Sequence, residues 1–424
     1  MKLRQMAVGG AALALMTTLA VGSAYSQTLF WSTQAAPIES TQAMREKVLA
    51  GFEGGVDFQA MEVGPFMTRL DAELEAGKGS IGVVGALHGE LATYTEDWID
   101  LSDIDLGGST VSPAFMELGK LTTGEQKYLP WMQANYVMAA NKQALEYLPE
   151  GADLNALSYD QLVEWMRVLA EETGSPKFGF PAGPNGLKHR FFQGFLLPSY
   201  AKSTVTEFAS AEAEAGWTMF KELWSYTNPA STNYGFMQEP LLNNDVWVAF
   251  DHVARLADAF NQRPGDFVAF PAPSGPAGRG FMPVLAGISV PKGAPDVEAS
   301  KALVAYMMKP ESQIEILRNI AFFPVTDVAL PGDLPASAQA LGGAIAAMTS
   351  APDALPALLP VGLGELSGQF NQVYTDTFER IVLGNQPIPD VLDQQADALR
   401  RLIEQAQAPC WLPDAPSEGP CPVN

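Results

Sequence analysis

Three histidines are the residues of this chain best suited to hydrogen-bonding chemistry, and each stands in or beside a predicted loop. His88 follows the strand-like run 81–84, His252 follows the run 246–250, and His189 lies in a polar turn. A neutral imidazole both donates and accepts hydrogen bonds, so these positions suit recognition of a small polar molecule. The alternative for each histidine is a role in capping a helix or in packing.

Strand-like and helix-like segments alternate along the chain, which predicts an α/β fold. In one unit Phe66, Leu70 and Leu74 recur every four residues on a helix between the β-rich runs 56–61 and 81–84. Strands alternating with helices of this length predict βαβ units and a mostly parallel sheet. Polar groups then collect at the carboxyl ends of the strands.

Helix ends are also marked in the sequence. Ser158 and Gln161 have the spacing of a capping box, and Gly174 fits the position just after the helix they begin. Asp251 directly follows the apolar run 246–250 and has a residue type that caps helices.

The composition is that of an acidic globular protein with more than one core. The 424 residues are 47% apolar and 17% charged, and the formal net charge is −23. Single cores stop growing near ~250–300 residues, so we predict two lobes. A negative surface repels nucleic acid and anionic membranes at long range, and we expect no nucleic-acid partner.

The common cofactor, phosphate, metal and nucleophile motifs are absent from the sequence. It has no G-x-x-x-x-G-K-[ST], HExxH, C-x-x-C or G-x-S-x-G, and no G-x-G-x-x-G after the first strand. We therefore predict no cofactor, no metal and no enzymatic activity. A secreted glycoside hydrolase is the alternative, since paired carboxylates are defined by separation in space and not by spacing along the chain. A ligand-free interaction protein is a second alternative.

Residues 1–26 have the pattern of a secretory signal peptide, which predicts export to the periplasm. Lys2 and Arg4 precede an apolar run, and Ala24 and Ser26 after it have the spacing of an A-x-S cleavage site. A membrane anchor is the alternative, but the run is short for a span, which needs ~20 residues.

Both cysteines, Cys410 and Cys421, lie in the C-terminal tail around a segment of turn-forming residues. In an oxidising compartment we predict that they form a disulfide, which would contribute ~3 kcal/mol in the chain-entropy model. A metal pair is the alternative, and it lacks nearby histidines. We expect the bond to act on the tail alone, because the tail is remote in sequence from the candidate contacts.

Five passages, in their order and spacing, resemble one known family. They are residues 31–34, 97–103, 128–142, 266–280 and 299–324. Together they resemble the family 1 extracellular solute-binding proteins of ABC transporters, the carbohydrate-binding group that includes maltose-binding protein. The resemblance covers nearly all of the chain after the predicted signal peptide, although Ala140 stands where the family's Asn-Lys motif often has tyrosine before it.

The resemblance implies an α/β protein with the two-lobed periplasmic binding protein fold (type II-like) and a ligand cleft between the lobes. It implies hinge closure on a small-molecule solute, a mono- or oligosaccharide or a glycoside, and delivery to ABC transporter permease subunits. We assign residues 27–135 and 279–328 to lobe 1, 136–278 and 329–407 to lobe 2, and 408–424 to the tail. We expect a monomer.

A sugar needs aromatic faces and strong hydrogen-bonding groups, and lobe 1 with the crossing segment offers seven candidates. They are Trp31, Gln34, Glu62, His88, Trp131, Gln133 and Asn135. The last three alternate and so share one face of an extended chain. The alternatives are that Trp31 packs in the core and that Glu62 is a solvated carboxylate.

Lobe 2 and the return crossing offer eight more candidates. They are Lys188, His189, Arg190, Asp251, His252, Arg255, Arg279 and Met282. The resemblance places Asp251 and His252 at a strand end that faces the cleft. The alternatives are a solvated basic turn at 188–190, a helix cap at Asp251, an ion pair between Asp251 and Arg255, a loop charge at Arg279 and a core position at Met282.

Six of these eight candidates are basic, which bears on the charge of the ligand. Local positive groups favour an anionic group such as the carboxylate of a sugar acid. Asp251 and Glu62 offset part of that charge, and neutral glycosides are the commoner ligands in the family that this chain resembles. We therefore predict a neutral sugar first and an anionic sugar second.

Overall fold

The computed structural model describes residues 27–424, and the predicted signal peptide lies outside the described residues. Eleven strands occur in the described part, in chain order β1 (Thr28–Ser32), β2 (Val56–Ala60), β3 (Ile81–Leu87), β4 (Leu129–Ala134), β5 (Tyr136–Asn141), β6 (Phe178–Gly179), β7 (Val248–His252), β8 (Phe267–Phe270), β9 (Arg279–Phe281), β10 (Val284–Ser289) and β11 (Ala354–Pro356).

Fifteen α-helices accompany these strands in residues 27–424. They are α1 (Ile38–Ala43), α2 (Val63–Ala76), α3 (His88–Ala92), α4 (Pro113–Gly119), α5 (Tyr159–Thr173), α6 (Lys188–Phe191), α7 (Leu197–Ala201), α8 (Ala211–Ser225), α9 (Gln238–Leu242), α10 (Val253–Gln262), α11 (Val297–Met307), α12 (Pro310–Ile320), α13 (Ala336–Thr349), α14 (Ser367–Phe378) and α15 (Ile388–Ala406). A π-helical turn, Phe192–Leu196, joins α6 to α7.

Two separate sheets, each with its own hydrophobic core, make two lobes. The first sheet has the order β2-β1-β3-β10-β4, the second has the order β6-β7-β5-β8, and β11 pairs with β9 apart from both. Phe30 and Phe58 pack 5.1 Å apart in the first core, and Phe191 and Phe250 pack 4.8 Å apart in the second. The predicted two-lobed α/β fold is confirmed.

Strand direction differs between the lobes. In lobe 1, β1 runs parallel to β2 and β3, and β10 is antiparallel to β3 and β4. In lobe 2, β5 is antiparallel to β7 and β8, and only β6 pairs parallel with β7. The predicted mostly parallel sheet is thus wrong for lobe 2. The reason is that β5 and β10 carry the chain into a lobe from the other one, so they run away from the junction while their neighbours run towards it.

Three segments of the chain cross between the lobes. Asn135 alone separates β4 from β5, the loop after β8 leads through β9 to β10, and residues 321–335 join α12 to α13. Because β9 pairs with β11 and packs against α7, it belongs with lobe 2. The lobe boundary predicted at residue 279 is therefore too early, and lobe 1 resumes at β10.

The helix ends follow the sequence signals with one exception. Ser158 and Gln161 form the predicted capping box, and Gly174 ends α5 with a left-handed φ of 72°. The exception is α10, whose N-cap is His252 and not Asp251, because β7 extends two residues beyond the predicted strand and includes both.

The C-terminal tail packs against lobe 2. Cys410 and Cys421 lie within disulfide-bonding distance, with their Cα atoms 4.5 Å apart. The side chain of Trp411 is buried beside Phe370, with the ring centroids 5.5 Å apart. The buried carboxylate of Asp414 accepts hydrogen bonds from the backbone of residues 204–206 at 2.9–3.0 Å. The tail therefore contributes to the lobe 2 core and is not an appendage.

Candidate ligand-binding site

The strand ends of both lobes meet at the junction between them. β4 ends at Ala134 and β5 begins at Tyr136, whose register partner is His252 near the end of β7. The same edge of lobe 1 carries Ser32 and Leu87 at the ends of β1 and β3. Since binding sites in α/β proteins form outside the carboxyl ends of strands, this junction is the candidate site.

Tyr136 is at the centre of the lobe 2 side of the junction. Its ring centroid lies 5.0 Å from that of His252, with the two rings nearly perpendicular. Burial raises the pKa of the Tyr136 hydroxyl to about 12. The charges of Arg190 and Arg255 lower this pKa and that of Asp251 raises it, so all three charged groups lie near one hydroxyl. Sequence reasoning missed Tyr136, because a buried tyrosine in a strand has the pattern of a core residue.

Asp251 and His252 are held by the backbone around them. The fully buried Asp251 accepts hydrogen bonds from the amides of Met237 (2.9 Å) and His252 (2.7 Å), and burial raises its pKa to about 7. Burial also lowers the pKa of His252 to about 4, so the ring is neutral at physiological pH. Its Nδ1 accepts from the amide of Ala254 at 3.3 Å, which leaves Nε2–H as a donor.

The basic segment that opens α6 adds three side chains to the lobe 2 side of the junction, which is called the lobe 2 wall below. Lys188 lies 4.0 Å from a carboxylate oxygen of Glu379. Burial and the neighbouring cations lower the pKa of His189 to about 3, so it too is neutral. The Nη1 of Arg190 donates to the side-chain carbonyl of Gln193 at 3.2 Å, and burial lowers the pKa of this arginine. All three side chains are of intermediate exposure, so this basic turn is partly buried against lobe 2 and partly open to solvent.

Arg255 reaches from the first turn of α10 to the loops that precede α6 and α9. Its Nη1 donates to the carbonyls of Asn185 (3.1 Å) and Gly235 (3.0 Å), and its guanidinium lies 4.4 Å from the ring centroid of Phe236. No carboxylate among residues 27–424 lies within 4.0 Å of Arg255, so the alternative of an ion pair with Asp251 is wrong. Phe236 is 46% exposed and offers an apolar face that sequence reasoning missed.

The crossing strand contributes two amides and buries its tryptophan. Asn135 accepts the amide of Tyr136 at 2.9 Å, and Gln133 donates to the carbonyl of Pro324 at 2.8 Å. The Nδ2 of Asn135 and the Oε1 of Gln133 are buried and have no protein partner in the described part of the chain. Trp131 lies wholly inside lobe 1. Of the three side chains predicted to share one face, Gln133 and Asn135 are therefore better placed for a ligand than Trp131, which packs in the lobe 1 core.

His88 and Glu90 stand at the carboxyl end of β3 in lobe 1. His88 Nδ1 lies 2.8 Å from the hydroxyl of Tyr128, and burial lowers the pKa of this histidine to about 4. Glu90 accepts from the hydroxyl of Thr33 (2.8 Å) and from the amide of Leu87 (2.9 Å), and burial raises its pKa. The sequence offered one indication of Glu90: it stands three residues after Leu87, the spacing at which a glutamate side chain accepts a hydrogen bond from the amide at the start of its helix.

Gln34 and Glu62 follow β1 and β2 and are more open to solvent. Gln34 donates through Nε2 to the hydroxyl of Thr33 at 2.9 Å, and Glu62 is exposed directly before α2. Their positions place both at the lobe 1 rim of the junction.

Three candidates from the sequence are buried inside the lobes. Trp31 is only 3% exposed, with the guanidinium of Arg69 4.2 Å from its ring centroid. Arg279 is 2% exposed and lies 3.9 Å from Asp353. Met282 is fully buried in lobe 2. Trp31 and Met282 pack in the hydrophobic cores of lobes 1 and 2, and Arg279 is buried beside Asp353.

The assembled groups suit a polar organic molecule. Neutral histidines and amides both donate to and accept from hydroxyl groups, and Phe236 supplies an apolar surface. In residues 27–424, no group of three or more histidine, cysteine, aspartate or glutamate side chains is arranged to hold a metal ion. Within that range, no helix combines the length and apolar character needed to cross a bilayer.

Two α/β lobes, three crossings and polar walls at converging strand ends define a two-lobed receptor for a small solute. The chain belongs to the bacterial extracellular solute-binding protein family, whose profile matches residues 35–314. The family resemblance predicted from the sequence is thus confirmed. Since this is a family of binding proteins, the match favours solute capture over the glycoside hydrolase alternative.

Solved structures of sugar-binding proteins share the fold. The sugar-binding protein MalE from Xanthomonas citri matches with a TM-score of 0.72 and 16% identity, over 89% of this chain and 97% of its own. Maltose-bound MalE3 from T. maritima gives 0.66 and 16%, over 89% and 99%. The GacH receptor of Streptomyces glaucescens, solved alone and with acarbose, gives 0.65 and 16%, over 89% and 98%. No curated protein matches the chain by sequence.

Proposed function

We propose that this protein is the substrate-binding component of an ABC importer and captures a sugar or sugar-like polar solute between its lobes. The observation that carries the proposal is the family match over residues 35–314, together with the polar wall around Tyr136, Asp251 and His252. Acarbose and maltose, the ligands bound in two of the similar structures, support a carbohydrate. The proposed contacts are Gln34, Glu62, His88, Gln133, Asn135, Tyr136, Lys188, His189, Arg190, Phe236, Asp251, His252 and Arg255.

In this proposal the protein binds its solute without converting it. Residues 1–26 direct export and are removed, Cys410 and Cys421 form a disulfide in the periplasm, and the monomer closes about its three crossing segments. The closed form then delivers the solute to the permease subunits of the transporter.

Calorimetry against a panel of sugars, with mass spectrometry of the solute that copurifies from the native host, tests this function. We expect a saturable one-to-one complex and recovery of the sugar unchanged. Phe236→Ala should weaken binding, while Leu412→Ala, which trims a similarly exposed side chain in the tail, should not. Turnover of a glycoside, or binding of a peptide or lipid in place of every sugar, would overturn the proposal.

A further inference from the structure

The lobe 2 wall carries positive charge that the protein does not neutralise. Arg190 is partly buried, and its one side-chain hydrogen bond within residues 27–424 goes to the side-chain carbonyl of the neutral Gln193. No carboxylate in that range lies within 4.0 Å of its guanidinium.

The two other cations of the lobe 2 wall, Arg255 and Lys188, differ in how far the protein neutralises their charge. Arg255 donates to two backbone carbonyls and lies over Phe236, and neither contact cancels its charge. Lys188 is closer to neutralisation, since Glu379 lies 4.0 Å away.

The carboxylates that face the junction are occupied elsewhere. Asp251 gives both oxygens to backbone amides, and burial raises its pKa to about 7, so part of its charge is lost at neutral pH. Across the junction Glu90 accepts from Thr33 and Leu87, and burial raises its pKa as well. Glu62 is exposed at the rim, where water screens it.

A partly buried guanidinium without a counter-charge gains charge-assisted hydrogen bonds from a ligand that supplies an anionic group. Arg190 has its Nε and Nη2 free of hydrogen bonds to described residues, which is the pair of donors that binds a carboxylate in bidentate fashion. Building on the proposed function, we propose that the solute is an anionic sugar whose carboxylate binds Arg190, as in a uronic acid. A neutral sugar would leave the guanidinium without a counter-charge, so this proposal places the anionic sugar before the neutral sugar that the sequence analysis placed first.

Calorimetry with matched pairs of sugars tests this inference. Galacturonate is compared with galactose, and glucuronate with glucose, at low and at high salt. We expect at least one uronate to bind ten-fold or more tightly than its neutral partner, with an advantage that falls as salt rises. Arg190→Gln should abolish the advantage and Arg190→Lys should keep part of it. Lys142→Gln removes an equal charge from an exposed site at the far end of β5 and should leave the advantage intact.

The outcomes separate the two proposals. If a neutral hexose binds as tightly as its uronate, or if a hexose phosphate binds better than both, the carboxylate assignment is wrong while the function as a sugar receptor stands. If no sugar of either kind binds to the folded wild-type protein, the proposed function itself fails. The wild-type comparison decides the inference even if an Arg190 variant does not fold.

Discussion

At the scale of single residues, burial sets the chemistry of the junction. The three histidines and Asp251 were chosen for their side-chain types, but the surrounding protein decides their protonation. Burial lowers the pKa of His88 and His252 to about 4 and raises that of Asp251 to about 7. The imidazoles are therefore neutral partners for hydroxyl groups at physiological pH, and the aspartate is a weaker anion than its type suggests.

Asp251→Asn should change how stability depends on pH. The folded state binds the Asp251 proton up to about pH 7, whereas the unfolded chain releases it near its ordinary pKa of ~3.9. The wild type therefore loses stability relative to Asp251→Asn as the pH rises from about 4 to 8. Urea unfolding of both proteins across this range measures the difference. Asp258→Asn, an exposed change on α10, is the control, and a constant difference between wild type and Asp251→Asn would contradict the pKa shift.

At the scale of elements, local hydrogen bonds define where helices begin and end. The side chain of Ser158 accepts the amide of Gln161 at 3.2 Å, and the side chain of Gln161 accepts the amide of Ser158 at 3.0 Å. These contacts involve residues three apart, so the sequence alone was enough to predict them. The start of α10 was predicted one residue early because the length of β7 depends on pairing with β5, more than 100 residues away in the chain.

Ser158→Ala should lower the free energy of unfolding by about 1 kcal/mol. The change leaves the amide of Gln161 without its acceptor at the start of a 15-residue helix. Chemical denaturation measures the effect. Ser112→Ala is the matched control, because Ser112 occupies the N-cap position of α4 without a capping side-chain bond and should change stability far less. Equal effects of the two changes would show that the capping box is energetically unimportant.

At the scale of the whole molecule, the two lobes approach closely at Gly89. A Cβ atom at this position of α3 would lie 2.7 Å from the carbonyl oxygen of Pro360, which belongs to a segment packed with lobe 2. The Pro360 oxygen belongs to the backbone, and a Cβ at position 89 is fixed to the backbone of α3, so neither atom can move aside as the end of a flexible side chain would. The approach of the lobes seen here therefore requires glycine at this point.

Gly89→Ala should weaken ligand binding by keeping the lobes apart. Overpacking of this kind costs about 1–3 kcal/mol, which corresponds to a loss of affinity of roughly 5- to 150-fold. Calorimetry measures the affinity, and solution scattering with saturating ligand should show a larger radius of gyration than that of the wild type. Gly124→Ala in lobe 1, where a Cβ would meet open space, is the control. Wild-type affinity in Gly89→Ala would show that this contact is not part of closure.

The sequence by itself determined the class of fold, the two lobes, most strands, the capped start of α5 and the family. Each of these depends on local periodicity, on residues three or four apart, or on the order of short motifs. Which side chains face the junction was decided by the tertiary structure. Trp31 and Met282 sit in the predicted segments yet pack in hydrophobic cores, and Arg279 is buried beside Asp353. Tyr136, whose ring contacts His252, and the exposed Phe236, which lies beside Arg255, have unremarkable sequence contexts. A one-residue difference in strand register turns a side chain from one face to the other, and register is set by pairing between strands that are distant in the chain.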